Sequence, residues 1–149
     1  MAQTLAAAGP WAVALSFAMY SAQWLAVVGF LPSIYQEGGL SAALAAPATA
    51  LAAAVNIIGN VASGRLLQRG TRPQYLLYAG FCAMGVGGLL AFAPVWDTFA
   101  ASTAAWLWYG AVLLFSMVGG VIPGTLFSLA VRLVRSDRTV FTTVGWMQQ

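Results

Sequence analysis

Two apolar segments, residues 40–64 and 74–94, carry no charged side chain, and the joint between them holds Arg65, Arg69 and Arg72. A soluble domain spreads charge over its surface and normally has about a quarter of its residues charged. Here charged residues make up 6% of the chain and apolar residues 61%. Lipid is the solvent such a chain suits. A helix needs about 20 apolar residues to cross roughly 30 Å of hydrocarbon. Segments of this length predict membrane spans, and the arginine-studded joint predicts a tight cytoplasmic loop.

Four spans with short joints fill the sequence: residues 10–35, 40–64, 74–94 and 103–131, with the first turns of a fifth beginning near residue 140. The expected fold is an all-α membrane protein, a single membrane domain over residues 1–149. The N-terminus has no basic region of the signal-peptide kind, and the apolar stretch after it is too long for one, so it reads as a retained span. Under this threading Arg65, Arg69, Arg72, Arg132, Arg135 and Arg138 all fall on one side, with only Glu37 and Asp97 on the other. Cytoplasmic loops carry the excess of arginine. The N-terminus is therefore expected in the cytoplasm and the protein in the cell membrane, multi-pass, read as a bacterial inner membrane.

Within span one, Ser16, Tyr20, Gln23, Trp24 and Val27 follow three- and four-residue steps and share a face. An amide such as Gln23 at mid-depth has to face other helices or a wet cavity. Pro10 suits the first helical turn, and Leu31-Pro32 is expected to end the helix before a polar turn at 36–39. In span two, Ala42, Ala46, Ala50 and Ala54 form a stripe of the kind that lets helices pack closely. A second face carries Ala48, Ala52, Asn56 and Asn60, and Pro47 predicts a kink. Span three has its own stripe at Ala79, Ala83, Gly87 and Ala91, with Tyr75 and Tyr78 at the headgroup layer. In span four, Trp106, Trp108 and Tyr109 read as a second aromatic belt, and the run from Gly119 to Thr125 as a glycine–proline break around Pro123.

Several chemistries are excluded. The net charge of +3 does not suggest nucleic acid, because the arginines sit in two turns and not along a face. There is no histidine, Cys82 is the lone cysteine, and the three carboxylates lie in joints. No metal site, nucleophilic triad or dithiol centre can be assembled from that set, so neither a catalytic activity nor a cofactor is expected. Binding and passage of a solute can still rest on aromatic and amide groups.

The run Gly64-x-x-x-Gln68-Arg69-Gly70-x-Arg72 resembles the loop motif of the major facilitator superfamily, Gly-x-x-x-Asp-Arg-x-Gly-Arg-Arg/Lys, which joins the second and third helices of each six-helix half. Gln68 stands where the motif has its acid, and the second glycine is shifted one place, to Gly70. With Gly59-Asn60, Phe30-Leu31-Pro32 and the run from Gly119 to Phe127, the chain is similar to the carboxy-terminal half of the cyanate and nitroimidazole transporter-like branch. The resemblance implies helices seven to ten of twelve, with the residues from Gly145 beginning helix eleven.

It also implies solute transport by alternating access, with this chain a partial chain of a secondary transporter. Tyr20, Gln23, Trp24 and Asn56 become candidates for the substrate path, because the first and fourth helices of each half face the cavity in the superfamily. Gly64, Arg69, Gly70 and Arg72 become a conformational latch, and Pro123 a gating bend. The partners implied are the lipid bilayer, the remaining helices and a small solute, either an organic anion or a neutral compound. The alternative is a small four-helix membrane protein acting as a structural or assembly partner.

Overall fold

The computed structural model describes residues 8–37, 40–92, 101–132 and Gly145. Its elements are six helices: α1 (Ala8–Glu37), α2 (Ala42–Ala54), α3 (Asn56–Gln68), α4 (Pro73–Phe92), α5 (Ala101–Gly119) and α6 (Val121–Arg132). No strand occurs among the described residues. Open backbone groups cannot be left in hydrocarbon, so a helix that satisfies its own is one of the few ways across. Four stretches are long and apolar enough to cross: Ala8–Gln36, Ala42–Gln68, Pro73–Phe92 and Thr103–Arg132. The second is α2 with α3, and the fourth is α5 with α6. The expected fifth segment, and with it Arg135, Arg138, Asp97 and residues 93 and 94, lies outside the described residues.

Span four is the hub. Half of its apolar window is buried inside the protein, against 22, 17 and 28% for the first three spans. The helix α5 lies along α4, while α6 packs on α3, α4 and α1. One apolar cluster, with Val13, Tyr20, Met84, Phe115, Ile122 and Leu126, fills the middle and the arginine end. A second, with Leu31, Tyr35, Ala45, Ala91 and Val112, closes the opposite end. On α4 the buried face is Leu76, Gly80, Met84, Gly87 and Ala91. Gly87 and Ala91 of the expected stripe are on it, whereas Ala79 is exposed.

The stripe on span two faces the other way. Ala42, Ala46, Ala50 and Ala54 are all exposed, and the residues turned inward are Ala45 and Ala52, with Ala48 half-buried. Four-residue spacing alone cannot choose between the two faces, because alanine fills most positions of α2. The face carrying Ala48, Ala52, Asn56 and Asn60 is the one that packs. Its two asparagines need partners that lipid cannot supply.

Pro32 also differs from expectation. The helix α1 runs through Pro32 to Glu37, with Leu31 and Tyr35 buried on either side. Packing of those two residues holds the turn that loses a hydrogen bond. Pro47 sits within α2, and Val55, whose backbone stays in the right-handed helical region at φ −63° and ψ −18°, joins α2 to α3. There Ile58 N–H reaches the Val55 carbonyl at 3.1 Å, a three-residue step, while Val55 N–H keeps the Leu51 carbonyl at 3.0 Å. Span four is interrupted at Gly120. Pro123 falls in the first turn of α6, where a missing N–H leaves no hydrogen bond unmade.

The arginine joint is a helix cap followed by a helix start. Gly70 has φ 88°, the only positive φ among the described residues. Its N–H bonds the Leu67 carbonyl at 3.1 Å, and Thr71 N–H bonds the Leu66 carbonyl at 3.0 Å. This pair of bonds is the Schellman arrangement, which favours glycine at the left-handed position. Pro73 then opens α4. Gly70→Ala should cost about 1 kcal/mol from the left-handed conformation alone, and Gly70→Asn less. Thermal unfolding in detergent checks this; equal midpoints for the alanine and parent proteins would argue against the cap.

Candidate functional site

Polar side chains of spans one, two and four meet close to the midpoint of each. Asn56 lies just past the junction of α2 with α3 and reaches both neighbours. Its Nδ2 donates to the Tyr20 hydroxyl at 3.1 Å and to the Ser116 carbonyl at 2.8 Å. The Tyr20 hydroxyl donates back to Asn56 Oδ1 at 3.4 Å. The indole N–H of Trp24, one helical turn beyond Tyr20, donates to Ser116 Oγ at 3.2 Å. Towards the arginine end, Asn60 Nδ2 donates to Asn56 Oδ1 at 3.0 Å, and Ser63 Oγ to the Asn60 carbonyl at 2.7 Å. A hydrogen-bonded chain thus runs from α1 through α3 to α5.

Three sequence candidates, Tyr20, Trp24 and Asn56, are brought together in this chain. Tyr20 is buried, and Trp24 and Asn56 are half-buried. Phe17 packs beside Tyr20, its ring 6.1 Å from the Tyr20 ring and 5.5 Å from that of Phe127. Gln23 stands apart. It is half-buried and its amide nitrogen lies beside Gly88 of α4 and the Phe115 ring, 3.8 Å from where a Gly88 Cβ would sit. Among the described residues it has no hydrogen-bond partner.

Close backbone approach holds the cluster in place. A Cβ on Gly59 would run into the Met117 carbonyl oxygen, and one on Gly120 into the Asn56 carbonyl oxygen. A Cβ on Gly124 would meet Ser63 Oγ. Gly59 and Ser63, four residues apart, face Gly120 and Gly124 at the same spacing, the small-residue contact by which helices associate in lipid. Sequence reasoning passes over this pairing in favour of the alanine stripe. It also passes over Ser116, a lone serine in an apolar run with no periodic signal, which is fully buried and binds two spans.

The other candidates lie elsewhere. Arg65, Arg69 and Arg72 are exposed, and among the described residues no carboxylate pairs with them. Gly64 is half-buried with open space where a Cβ would go. Pro123 is buried. Of the expected aromatic belt, Trp106 is exposed, whereas Trp108 and Tyr109 turn inward against Tyr35, with ring centroids 5.5 and 6.1 Å away. Their polar ends are occupied: Trp108 N–H bonds the Ala91 carbonyl at 2.7 Å, and Tyr109 O–H the Ala48 carbonyl at 2.9 Å. Tryptophan and tyrosine, which serve at the headgroup layer, here satisfy their donors inside the bundle.

Such a bundle, with apolar spans and a neutral polar cluster at mid-depth, defines a multi-pass membrane protein. The family profile of the Major Facilitator Superfamily matches residues 2–148, and the chain belongs to that superfamily of membrane transporters of small solutes. No curated protein and no solved structure matches the chain significantly.

Proposed function

We propose that this chain carries part of the solute path of an alternating-access secondary transporter. The observation that carries the reading is the hydrogen-bonded cluster of Tyr20, Trp24, Asn56 and Ser116 close to the midpoints of three spans. Transporter sites lie near the bilayer midplane. In this reading Gln23 and Trp24 contact the solute, and Tyr20 and Asn56 position them. Four spans cannot enclose such a site, so the chain works with further helices of a larger carrier, in the scheme of two six-helix halves.

The spans contain no Asp, Glu or His. Contacts from this chain are therefore neutral, and a small neutral compound or an organic anion fits them. Any proton-coupling acid would lie elsewhere, since ionisable groups at depth are kept for function. Gly59-Asn60, Phe30-Leu31-Pro32 and the run from Gly119 to Phe127, taken with the loop motif, support membership of the cyanate and nitroimidazole branch. Arg69 and Arg72 act as the latch at the end of α3, with Gly64 and Gly70 shaping that loop, and Pro123 marks the gating bend of span four.

The arginines also set the orientation, with the N-terminus cytoplasmic in a bacterial inner membrane. With Cys82 replaced by serine, a cysteine at position 71 should be protected from an impermeant thiol reagent in intact cells, and one at position 38 should react. Labelling at 71 from outside would overturn the orientation.

A further inference from the structure

Away from the mid-depth cluster, the bundle holds a second place whose size and chemistry fit a small molecule. Towards the end opposite the arginines, a cavity of about 680 Å³ lies between α1, α2 and α5. Pockets that take small molecules run from about 300 to 1,000 Å³. Leu44, Pro47 and Leu51 of α2 form its aliphatic wall, and Trp106, Trp108 and Tyr109 of α5 its aromatic one. Tyr35 closes it from α1. Tyr109 of the lining is two helical turns before Ser116, which sets the cavity about 10 Å along α5 from the cluster.

The walls offer a ligand few polar atoms. No charged side chain lines the cavity. Trp108 N–H is already bonded to the Ala91 carbonyl at 2.7 Å, and Tyr109 O–H to the Ala48 carbonyl at 2.9 Å. Trp106 is exposed at the mouth. Tyr35 is different. Its ring is held edge-on against Trp108 and Tyr109, at interplanar angles of 86° and 65°. It is 6% exposed, and among the described residues its hydroxyl has no hydrogen-bond partner. A buried hydroxyl left unpaired is costly. The neighbouring rings fix the tyrosine, so a partner has to come to it.

We propose that this cavity binds a neutral aromatic molecule carrying one hydrogen-bond acceptor, to which the Tyr35 hydroxyl donates. The apolar body lies against Leu44 and Leu51, and its rings meet Trp106 and Trp108 in offset or edge-on contact. An anion does not suit the site, because no cation lines it and an unpaired charge is expensive out of water. A saturated acyl chain fills the volume but leaves the hydroxyl unpaired. The site is separate from Gln23 and Trp24 and does not depend on which residues touch the transported solute.

Benzophenone, a neutral diaryl ketone that photolabels C–H groups, tests this in the full-length protein reconstituted in bilayers. Label should appear at residues 44–51 and 105–109 and should saturate as the probe concentration rises. Fluorenone, which has a carbonyl, should compete about fivefold more strongly than fluorene, which has none, at equal membrane concentration. Ala105→Trp, which adds bulk at an exposed lining position, should abolish the saturable label. Tyr35→Phe should keep the label and erase the preference for fluorenone. The parent protein decides the matter even if both variants fail to insert. Label that rises linearly with probe, as bilayer partition alone gives, would overturn the site. So would no label at these residues, the result if further helices of the carrier fill the cavity, or equal competition by fluorenone and fluorene. In the variants, undiminished saturable label in Ala105→Trp or a fluorenone preference that survives in Tyr35→Phe would do the same.

Discussion

Gly59→Val should prevent the four spans from assembling, although each span would still enter the membrane. The new Cβ would occupy the position of the Met117 carbonyl oxygen, with Val121 N at 2.9 Å and the Gly120 carbonyl carbon at 3.0 Å. All three are backbone atoms, so no side chain can rotate out of the way. Overpacking of this kind costs about 1–3 kcal/mol and occasionally more. The high end applies here, because separating α3 from α5 also breaks the Asn56 bonds to Tyr20 and Ser116. Size-exclusion chromatography in mild detergent should show loss of the folded peak for this variant. Gly29→Val and Gly85→Val, at positions with open space around them, should keep it. If all three behave alike, the tight crossing of spans two and four is not what holds the bundle.

Asn56→Leu should have the opposite profile, with modest loss of stability and large loss of transport. Interhelical hydrogen bonds in membranes average only about 0.6 kcal/mol, so losing those to Tyr20 and Ser116 removes about 1 kcal/mol and leaves the bundle folded. Function is more sensitive, because Asn56 fixes the rotamer of Tyr20 and the position of Ser116, and Ser116 in turn holds Trp24. A loss of about 1.4 kcal/mol in positioning is tenfold in rate. Transport by the full-length protein, measured with a small solute that the parent protein takes up, should fall by about that factor at unchanged membrane level. Full uptake would reduce the cluster to interhelical fixing.

How much of this can be read from the sequence depends on which physical signal each residue carries. Charge is the clearest. Nine charged residues confined to the joints set the number of spans, and the helices of α1 through α6 fall within those spans to within a few residues. Polar groups in apolar surroundings are nearly as clear. Asn56, Tyr20 and Trp24 have to find partners inside the protein: Asn56 and Tyr20 find each other, and Trp24 finds Ser116. Alanine periodicity is ambiguous, since nearly every position of α2 is small, and the most regular stripe turns out to be the exposed one. Gly59, Ser63, Gly120 and Gly124 are present as two four-residue spacings, but matching them across spans requires the fold.

Proline misleads for a related reason. Pro32 costs α1 one hydrogen bond, yet its buried neighbours Leu31 and Tyr35 carry the helix past the gap. The two backbones press together elsewhere, at Gly59 and Gly120. That contact is tertiary and leaves no local signature except the glycines. The shifted glycine of the loop motif has a local explanation, since Gly70 takes the left-handed position of a helix cap.

In the proposed mechanism the mid-depth cluster lies on a solute path open in turn to each side of the membrane. Cysteine in place of Gln23, in the full-length protein with Cys82 replaced by serine, tests this most directly. Gln23 sits near the midpoint of its span with its amide unpartnered among the described residues, while Leu25, two residues on, is exposed on the outer surface of the bundle. With an impermeant thiol reagent, position 23 should react both in right-side-out and in inside-out vesicles, and position 25 in neither. A cysteine at 23 that stays unreactive from both sides would contradict the mechanism.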